Sequence, residues 1–96
     1  MKLKRTPQAI IGFRGVSLYI IESFGETALR EFRQRTREVE KLIMQMPNIG
    51  TIEWEDVKEG VAYRSMTIYR RSKLLYFVKD DTIYVADFWD VRQDKH

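Results

Sequence analysis

Cysteine is absent from the chain and histidine occurs once, and these two scarcities exclude several kinds of chemistry. Without cysteine there is no disulfide, no thiolate nucleophile and no cysteine-ligated metal. The only histidine, His96, is the last residue, so mechanisms that use a Ser–His or Cys–His pair have no base, and a zinc site built from several histidines is excluded. An enzyme with this sequence must move protons with Tyr, Lys, Asp or Glu.

Long apolar runs and glycine-rich motifs are also missing. No run approaches the roughly 20 residues of a membrane span, and the first residues, MKLKRTPQAIIGF, lack the apolar stretch of a signal peptide. No GxGxxG or P-loop pattern supports nucleotide binding. Asp87, Asp90 and Asp94 lack both the spacing and the glycine of a calcium loop. The sequence therefore predicts a cytoplasmic protein without a cofactor, a metal or a membrane partner.

The composition is that of an ordinary folded domain with an uneven distribution of charge. Its 96 residues are 44% hydrophobic and 32% charged, which predicts one domain over residues 1–96. The net charge is +3. Cations gather in three groups and acids in two, which favours either a basic face for a phosphate backbone or an acidic protein, or a solvated mixed surface. The cation groups are Lys2, Lys4, Arg5 and Arg14, then Arg30, Arg33, Arg35, Arg37 and Lys41, then Arg64, Arg70, Arg71 and Lys73.

Two helices are predicted after a short charged strand at 2–5. Thr6-Pro7 is a helix-start signal, and Gly25 is a plausible end for the first helix. Thr27 is the expected cap of a second helix that Pro47 stops, and the pairs Glu26–Arg30 and Glu31–Arg35 are expected along it. The short break between the helices predicts an antiparallel hairpin.

Three strands are predicted in the last third of the chain. The segment reads VAYRSMTI, YRRS, KLLYFV, KDD and TIYVADFWDVRQD, in which two polar breaks separate apolar runs of a meander. An additional weak strand is expected around 51–54. The predicted class is α+β, with the order β-α-α-β-β-β and a helical hairpin packed on a small antiparallel sheet.

Arginines and tyrosines of this meander form the strongest candidate site. Arginine forks match phosphate oxygens, and tyrosine rings stack on unpaired bases. Strand alternation places Arg64 in line with Met66 and Ile68, so we expect it either to pair with a carboxylate such as Asp87 or to contact a ligand. The cations of the candidate set are Arg64, Arg70, Arg71 and Lys73, interleaved with Tyr63, Tyr69, Tyr76 and Tyr84.

The order and spacing of these segments resemble the RelE/ParE superfamily of toxins from bacterial toxin–antitoxin modules, including the plasmid-stabilisation type. The resemblance rests on KLKRTPQAI, on MPNIG after the second helix, and on YRSMTIYRRSKLLYFVKDDTIYVADFWDVRQD. Arg64 matches the arginine that opens the family's second strand, and Tyr76 its I-I-Y strand. Residues 82–85 match its D-T-I-Y-I strand, and Arg92 matches the arginine of its H-x-R-R-D segment. The histidine of that last segment is Asp90 in this chain.

The resemblance implies a toxin held silent by a cognate antitoxin, and its two branches imply different targets. The ParE branch inhibits DNA gyrase by binding, with Arg64, Arg70, Arg71, Lys73 and Arg92 as the target-binding candidates. The RelE branch cuts messenger RNA on the ribosome, for which Arg64, Lys73, Tyr84 and Arg92 would be the catalytic candidates. Because Asp90 replaces the histidine and His96 has no matching context, the ParE-like reading is preferred. A fold without toxicity and a homodimer both remain open at this stage.

Overall fold

A five-stranded sheet with a helical hairpin on one face makes up the computed structural model, which describes residues 1–92. Its elements are β1 (Lys2–Arg5), α1 (Pro7–Phe24), α2 (Glu26–Gln45), β2 (Thr51–Asp56), β3 (Val61–Thr67), β4 (Ser72–Lys79) and β5 (Thr82–Asp90). The predicted α+β class is confirmed. The segment expected at most as a weak strand is a full strand, β2, of six residues.

The strand order in the sheet is β1-β5-β4-β3-β2, so the first and last strands of the chain are neighbours. β1 pairs with β5 in parallel, whereas the other pairs are antiparallel. The sheet is therefore mixed, and the prediction of a purely antiparallel sheet is wrong. The backbone N–H of Thr6 donates to the Val85 carbonyl at 3.0 Å, so the chain leaves β1 beside β5 and α1 passes directly over that strand.

The start of α1 follows the sequence signal. The Thr6 side-chain oxygen accepts a hydrogen bond from the Ala9 backbone N–H at 3.1 Å, and Pro7 occupies the first helical position. The same hydroxyl donates to the Ala86 carbonyl at 3.2 Å. One threonine thus caps the helix and ties it to the sheet.

Gly25 alone joins the two helices. Its φ of 92° lies in the region that favours glycine, and its N–H donates to the Ile21 carbonyl at 3.0 Å. α2 begins at once with Glu26, so Thr27 lies inside the helix and the prediction that it caps α2 is wrong. At the other end, α2 stops at Gln45, two residues before Pro47.

The ion pairs expected along α2 do not form. Arg30 instead contacts the Thr27 hydroxyl at 3.4 Å. Arg35 turns toward the sheet, where it donates to the Ile68 carbonyl at 3.2 Å and pairs with Glu38 at 3.3 Å. Tertiary contact with the sheet thus outweighs the weak local pairing of Arg35 with Glu31.

The core lies between the hairpin and the inner face of the sheet. α1 approaches β5 so closely at Gly12 that a Cβ there would overlap the Asp87 carboxylate and lie 2.7 Å from the Phe88 carbonyl oxygen. Strand alternation in β3 is as predicted, with Met66 packed toward the helices and Tyr63 on the opposite face. The fully buried core side chains include Val16, Ile20, Phe32, Val39, Ile43, Leu74, Tyr76, Ile83, Val85 and Phe88.

Candidate target-binding surface

Three of the candidate arginines meet at one end of the sheet, and we call Arg70, Arg71 and Arg92 the arginine corner. Arg70 and Arg71 lie in the turn between β3 and β4, and Arg92 follows β5. The Arg70 guanidinium lies 4.8 Å from the centre of the Phe24 ring, and the Arg92 guanidinium lies 4.7 Å from the same ring. The end of α1 therefore supplies an aromatic support for two cations, each contact contributing about 0.5–1 kcal/mol at an exposed site.

The turn that carries Arg70 and Arg71 is closed by Ser72. The Ser72 hydroxyl donates to the Tyr69 carbonyl at 2.6 Å and accepts from the Tyr69 N–H at 3.2 Å. Arg70 has φ of 56°, a left-handed conformation that costs a non-glycine residue roughly 1–2 kcal/mol. The Arg71 carbonyl accepts from the Val91 N–H at 3.0 Å, which fastens the turn to the end of β5.

A fully buried carboxylate, Asp90, orients Arg92. Two guanidinium nitrogens of Arg92 donate to its two oxygens at 2.9 and 2.7 Å, a bidentate pair, and the Arg92 backbone N–H donates at 2.9 Å. Burial alone would raise the pKa of Asp90, but the hydrogen bonds from Arg92 and the charges of Arg92 and Arg71 outweigh it and lower the pKa. Asp90 is thus ionised at neutral pH and fixes Arg92 in place.

Arg70 and Arg71 differ from Arg92 in having no such partner. Both side chains are exposed, and among residues 1–92 no carboxylate forms a salt bridge with either. The corner therefore presents two cations without a salt bridge among residues 1–92, beside Arg92, which is paired with Asp90. An anionic group of a partner would find the Arg70 guanidinium held against Phe24 and the exposed Arg71 next to it in the turn.

Arg64 lies elsewhere and holds a loop. One of its guanidinium nitrogens donates to the backbone carbonyls of Asn48 at 3.0 Å and Gly50 at 2.9 Å, in the loop between α2 and β2. The expected pairing with Asp87 is wrong, because Arg64 turns toward β2, on the side of β3 away from β5. The structure thus gives Arg64 a contact that stabilises the fold.

Tyr76, a core residue of β4, also holds the loop between α2 and β2. Its hydroxyl accepts from the Gly50 N–H at 2.9 Å and donates to the Pro47 carbonyl at 2.7 Å. Burial raises the pKa of Tyr76, while the hydrogen bond from Gly50 and the charge of Arg64 oppose the rise. The Tyr76 ring is therefore part of the core and is not available for stacking on a nucleobase.

Tyr84 belongs to a row of aromatic side chains on the outer face of the sheet. The row consists of Trp54, Tyr63, Phe77 and Tyr84, with neighbouring ring centres 4.8, 4.9 and 5.2 Å apart. Such cross-strand contacts stabilise a sheet face that no helix covers. Because the rings pack against one another, the inner members offer little face for stacking a base.

The four residues proposed for a ribonuclease do not converge. Lys73 is paired in register with Trp89, near the turn, whereas Tyr84 is paired with Phe77, four residues farther along β4. Four residues of strand span about 13 Å. Arg64 points away from the outer face of the sheet, where Tyr84 lies, and toward the loop after α2. Arg92 is paired with Asp90.

Phe24 and Asp90, which support the corner, are not among the site residues predicted from the sequence. Phe24, at the end of α1, is 39% exposed and contacts two arginines. The sequence-based interpretation of Asp90 considers a calcium loop, which it does not fit, and the replacement of a histidine, but not a pair with Arg92. The i,i+2 spacing of Asp90 to Arg92 at the end of a strand was the available signal for the buried pair.

Within residues 1–92, no group of three metal-ligating side chains comes together. Within the same residues, neither helix is long and apolar enough to cross a membrane. Asp94 and His96 lie outside the described residues.

Comparison with solved structures supports the expected fold. A chain of the structure described as the chromosomal ParDE TA system from P. aeruginosa superimposes with a TM-score of 0.72 at 22% sequence identity. The match covers 95% of this chain and 96% of that one. No protein-family model and no curated protein matches the sequence. The RelE/ParE-type fold inferred from the sequence is confirmed.

Proposed function

We propose that this chain is the toxin of a type II toxin–antitoxin module and inhibits growth by ParE-like binding to a cellular target, with DNA gyrase as the first candidate. The support is a fold shared over 95% of the chain with a chain of a ParDE TA system. A cognate antitoxin would keep the protein silent, and the cytoplasm is the proposed compartment.

The arginine corner is the proposed contact with the target. Arg70 and Arg71 are exposed cations without a salt bridge to residues 1–92, and Phe24 supports Arg70 at 4.8 Å. Preorganised guanidinium groups lose less entropy on binding a carboxylate or phosphate than mobile side chains do. Lys73, close by on β4, adds a further positive charge, while Arg64 acts indirectly by holding the fold.

We favour binding over RNA cleavage because, within residues 1–92, the residues proposed for a ribonuclease do not come together. A ribonuclease needs a proton-transfer group and a phosphorane-stabilising cation that reach the same phosphodiester. Tyr84 and Arg92 occupy different places in the sheet, and Arg64 is engaged by two carbonyls.

Expression of the gene alone and then with its neighbour tests toxicity and neutralisation together. Growth arrest that the neighbouring gene relieves is the expected result. Purified protein should then inhibit gyrase supercoiling or increase gyrase-dependent DNA cleavage. Discrete cuts in the coding regions of messenger RNA, mapped by primer extension, would instead support ribonuclease activity. Normal growth would refute the proposal that the chain is a toxin.

A charge reversal tests the arginine corner. The double variant Arg70→Glu/Arg71→Glu should weaken gyrase inhibition by about tenfold or more, equivalent to roughly 1.4 kcal/mol. Its melting temperature should fall, because Arg70 loses its contact with Phe24 and Asp90 loses the favourable charge of Arg71, but the variant should keep the circular dichroism spectrum of the folded protein at the assay temperature. Lys2→Glu/Lys58→Glu is the control for the same change of charge, since Lys2 in β1 and Lys58 in the turn between β2 and β3 are exposed and lie outside the corner. Equal loss of inhibition in the control variant would show that net charge, and not the corner, matters.

A further inference from the structure

The outer face of the sheet, which faces away from the helical hairpin, contains a cavity of about 310 Å³. Four side chains of the sheet form its apolar wall: Val61 and Tyr63 of β3, Phe77 of β4 and Tyr84 of β5. Ligand-binding cavities of proteins span roughly 300–1,000 Å³. This cavity therefore has the size for one side chain or a small organic molecule.

The cavity lies where the aromatic row is irregular. The rings of Tyr63 and Phe77 are inclined by 54°, whereas the other two neighbouring pairs of the row are each inclined by 18°. Tyr63 and Phe77 therefore diverge instead of stacking face to face, and both line the cavity. Val61 beside them is buried, so the inside of the cavity is apolar and suits an aliphatic stem better than a charged group.

Charged and exposed side chains form the rim of the cavity. Glu59 comes from the turn between β2 and β3, Lys79 from the end of β4, and Asp80 from the turn that follows. The Lys79 ammonium donates a hydrogen bond to the Glu59 carboxylate at 3.0 Å. Within residues 1–92 the Asp80 carboxylate has no salt bridge. Two carboxylates and one ammonium give the rim a net negative charge, on a chain whose net charge is +3.

The turn between β4 and β5 fixes Asp80 at this rim. Asp80 and Asp81 have φ of 52° and 58°, and a two-residue turn with both φ values positive matches the twist of paired strands. Lys79 and Thr82 pair across the turn. The Asp80 carboxylate is therefore carried by a short connection between paired strands, and it lies at the cavity without an ionic partner among residues 1–92.

Lys79 already places a cation at the rim. The hydrogen bond to Glu59 and the charge of that carboxylate, with smaller contributions from Asp80 and Tyr84, raise the pKa of Lys79 above its ordinary value, although desolvation opposes the rise. Both carboxylates of the rim therefore act on one cationic group. A second cation that enters the cavity would compete with the Lys79 ammonium for Glu59.

We propose that this cavity binds a guanidinium group on a short aliphatic stem, which is the chemistry of an arginine side chain and of a free alkylguanidine. The stem would lie against Val61 and the rings, and the guanidinium would donate hydrogen bonds to Glu59 and Asp80. A planar guanidinium matches carboxylate oxygens with two parallel hydrogen bonds, which an ammonium cannot do. The Lys79 ammonium would leave Glu59 and move into water on its flexible stem.

The charges and the size of the cavity disfavour other ligands. An anion would meet two carboxylates and only one cation, which is already engaged by Glu59. A metal ion has no set of ligands here, because no three metal-ligating side chains of residues 1–92 come together. A lysine-like ligand would only replace the Lys79 ammonium with another ammonium. The guanidinium is the cation that gains hydrogen-bond geometry on entering.

NMR titration of the full chain with N-acetylarginine amide tests the site. A ligand of about 15 non-hydrogen atoms is expected to bind in the millimolar range, and it should shift the ring signals of Tyr63, Phe77 and Tyr84. N-acetylcitrulline amide, which has nearly the same shape without the charge, should bind about fivefold more weakly or less tightly still. Added salt should shrink that difference. Equal binding of the two probes, or shifts confined to other parts of the chain, would overturn the proposal.

Variants at the rim test the sign of the charge that is bound. Glu59→Gln should weaken binding of N-acetylarginine amide about threefold or more, whereas Glu22→Gln, which removes the same charge from an exposed position of α1, should leave it unchanged. Lys79→Met should strengthen binding about twofold or more, because the competing cation is gone. The backbone amide spectrum of each variant checks that it is folded. Weaker binding by Lys79→Met would mean that the cavity prefers an anion and would refute the assignment.

Two further probes identify the source of the guanidinium: a peptide in which leucines flank one arginine, and the free alkylguanidine agmatine. Tyr63 lines the cavity and stacks at 4.8 Å on Trp54, which is 49% exposed, so the leucines of a bound peptide would reach Trp54. Tighter binding of the peptide, lost in Trp54→Ala, would assign the site to a side chain of a partner protein. Tighter binding of agmatine would assign it to a small molecule. These titrations use neither gyrase nor growth, so their result is independent of the proposed toxicity.

Discussion

Removal of the Tyr76 hydroxyl should destabilise the protein by detaching the loop between α2 and β2. Tyr76→Phe keeps the buried ring but deletes the acceptor of the Gly50 N–H and the donor to the Pro47 carbonyl. A buried group left without a partner costs about 1–3 kcal/mol. Gly50 is buried, so its N–H would be left without a partner. Pro47 is half-buried, so water can replace part of the hydrogen bond that its carbonyl loses. The expected loss is about 2 kcal/mol.

Urea unfolding followed by circular dichroism measures this loss. For a domain of this size, about 2 kcal/mol corresponds to a fall in melting temperature of roughly 8–16 °C. Tyr63→Phe is the matched control, because the Tyr63 hydroxyl makes no hydrogen bond to residues 1–92 and its ring stays in the aromatic row. A Tyr76→Phe variant within about 0.5 kcal/mol of the wild type, like a typical surface change, would refute the anchoring role.

The pH dependence gives an independent check of the same residue. Burial raises the pKa of Tyr76 in the folded protein above the ordinary value of 10.0. Its contribution to stability is therefore complete below pH 10 and is lost as the pH rises through the folded value. The difference in unfolding free energy between wild type and Tyr76→Phe should shrink above about pH 10, and a constant difference would contradict burial as the cause.

The remaining predictions concern three glycines and the buried carboxylate of Asp90. Gly12→Ala should destabilise the protein by about 1–3 kcal/mol, because the new Cβ would overlap β5. Gly15→Ala should stabilise α1 by up to ~1 kcal/mol, because a Cβ at this position meets nothing within 4 Å. Thermal melts that rank the two variants the other way would refute the close approach of α1 to β5. Gly25→Ala, at φ 92°, should cost about 1–3 kcal/mol in the same melts, and a neutral effect would mean that the hairpin adopts another conformation. The pKa of Asp90 is lowered in the folded protein, so its stabilising pair is complete above the ordinary value of 3.8 and is lost as the pH falls through the folded value. Asp90→Asn should therefore cost about 1.5–3 kcal/mol at pH 7 and progressively less in acid, as urea unfolding at several pH values will show, and a loss independent of pH would refute the charge pairing.

The local signals of the sequence predicted most of the elements correctly. Thr6-Pro7, Gly25 and Pro47 mark helix limits through capping and φ restrictions that act within a few residues. The two turns of the meander follow from polar residues between apolar runs. These features depend on neighbours in the chain, so a sequence contains them directly.

Contacts between distant segments were harder to predict. The parallel pairing of β1 with β5 joins residues about 80 positions apart, and no local pattern encodes its direction. Arg64 was expected to meet a carboxylate, but its partners are backbone carbonyls that any residue supplies and that leave no mark in the sequence. Phe24 continues the helical spacing of α1, and that spacing alone does not show that its ring lies against Arg70 and Arg92.

The pairing of the first strand with the last has a consequence for biosynthesis. Within residues 1–92, β1 is hydrogen-bonded to β5 and to no other strand, so this part of the sheet forms only after the ribosome has polymerised β5. The helical hairpin precedes β2 to β5 in the chain, and its apolar inner face stays uncovered during translation until those strands are made. The arginine corner combines the turn after β3 with the residues that follow β5. A fragment released before Asp90 is therefore expected to lack the corner.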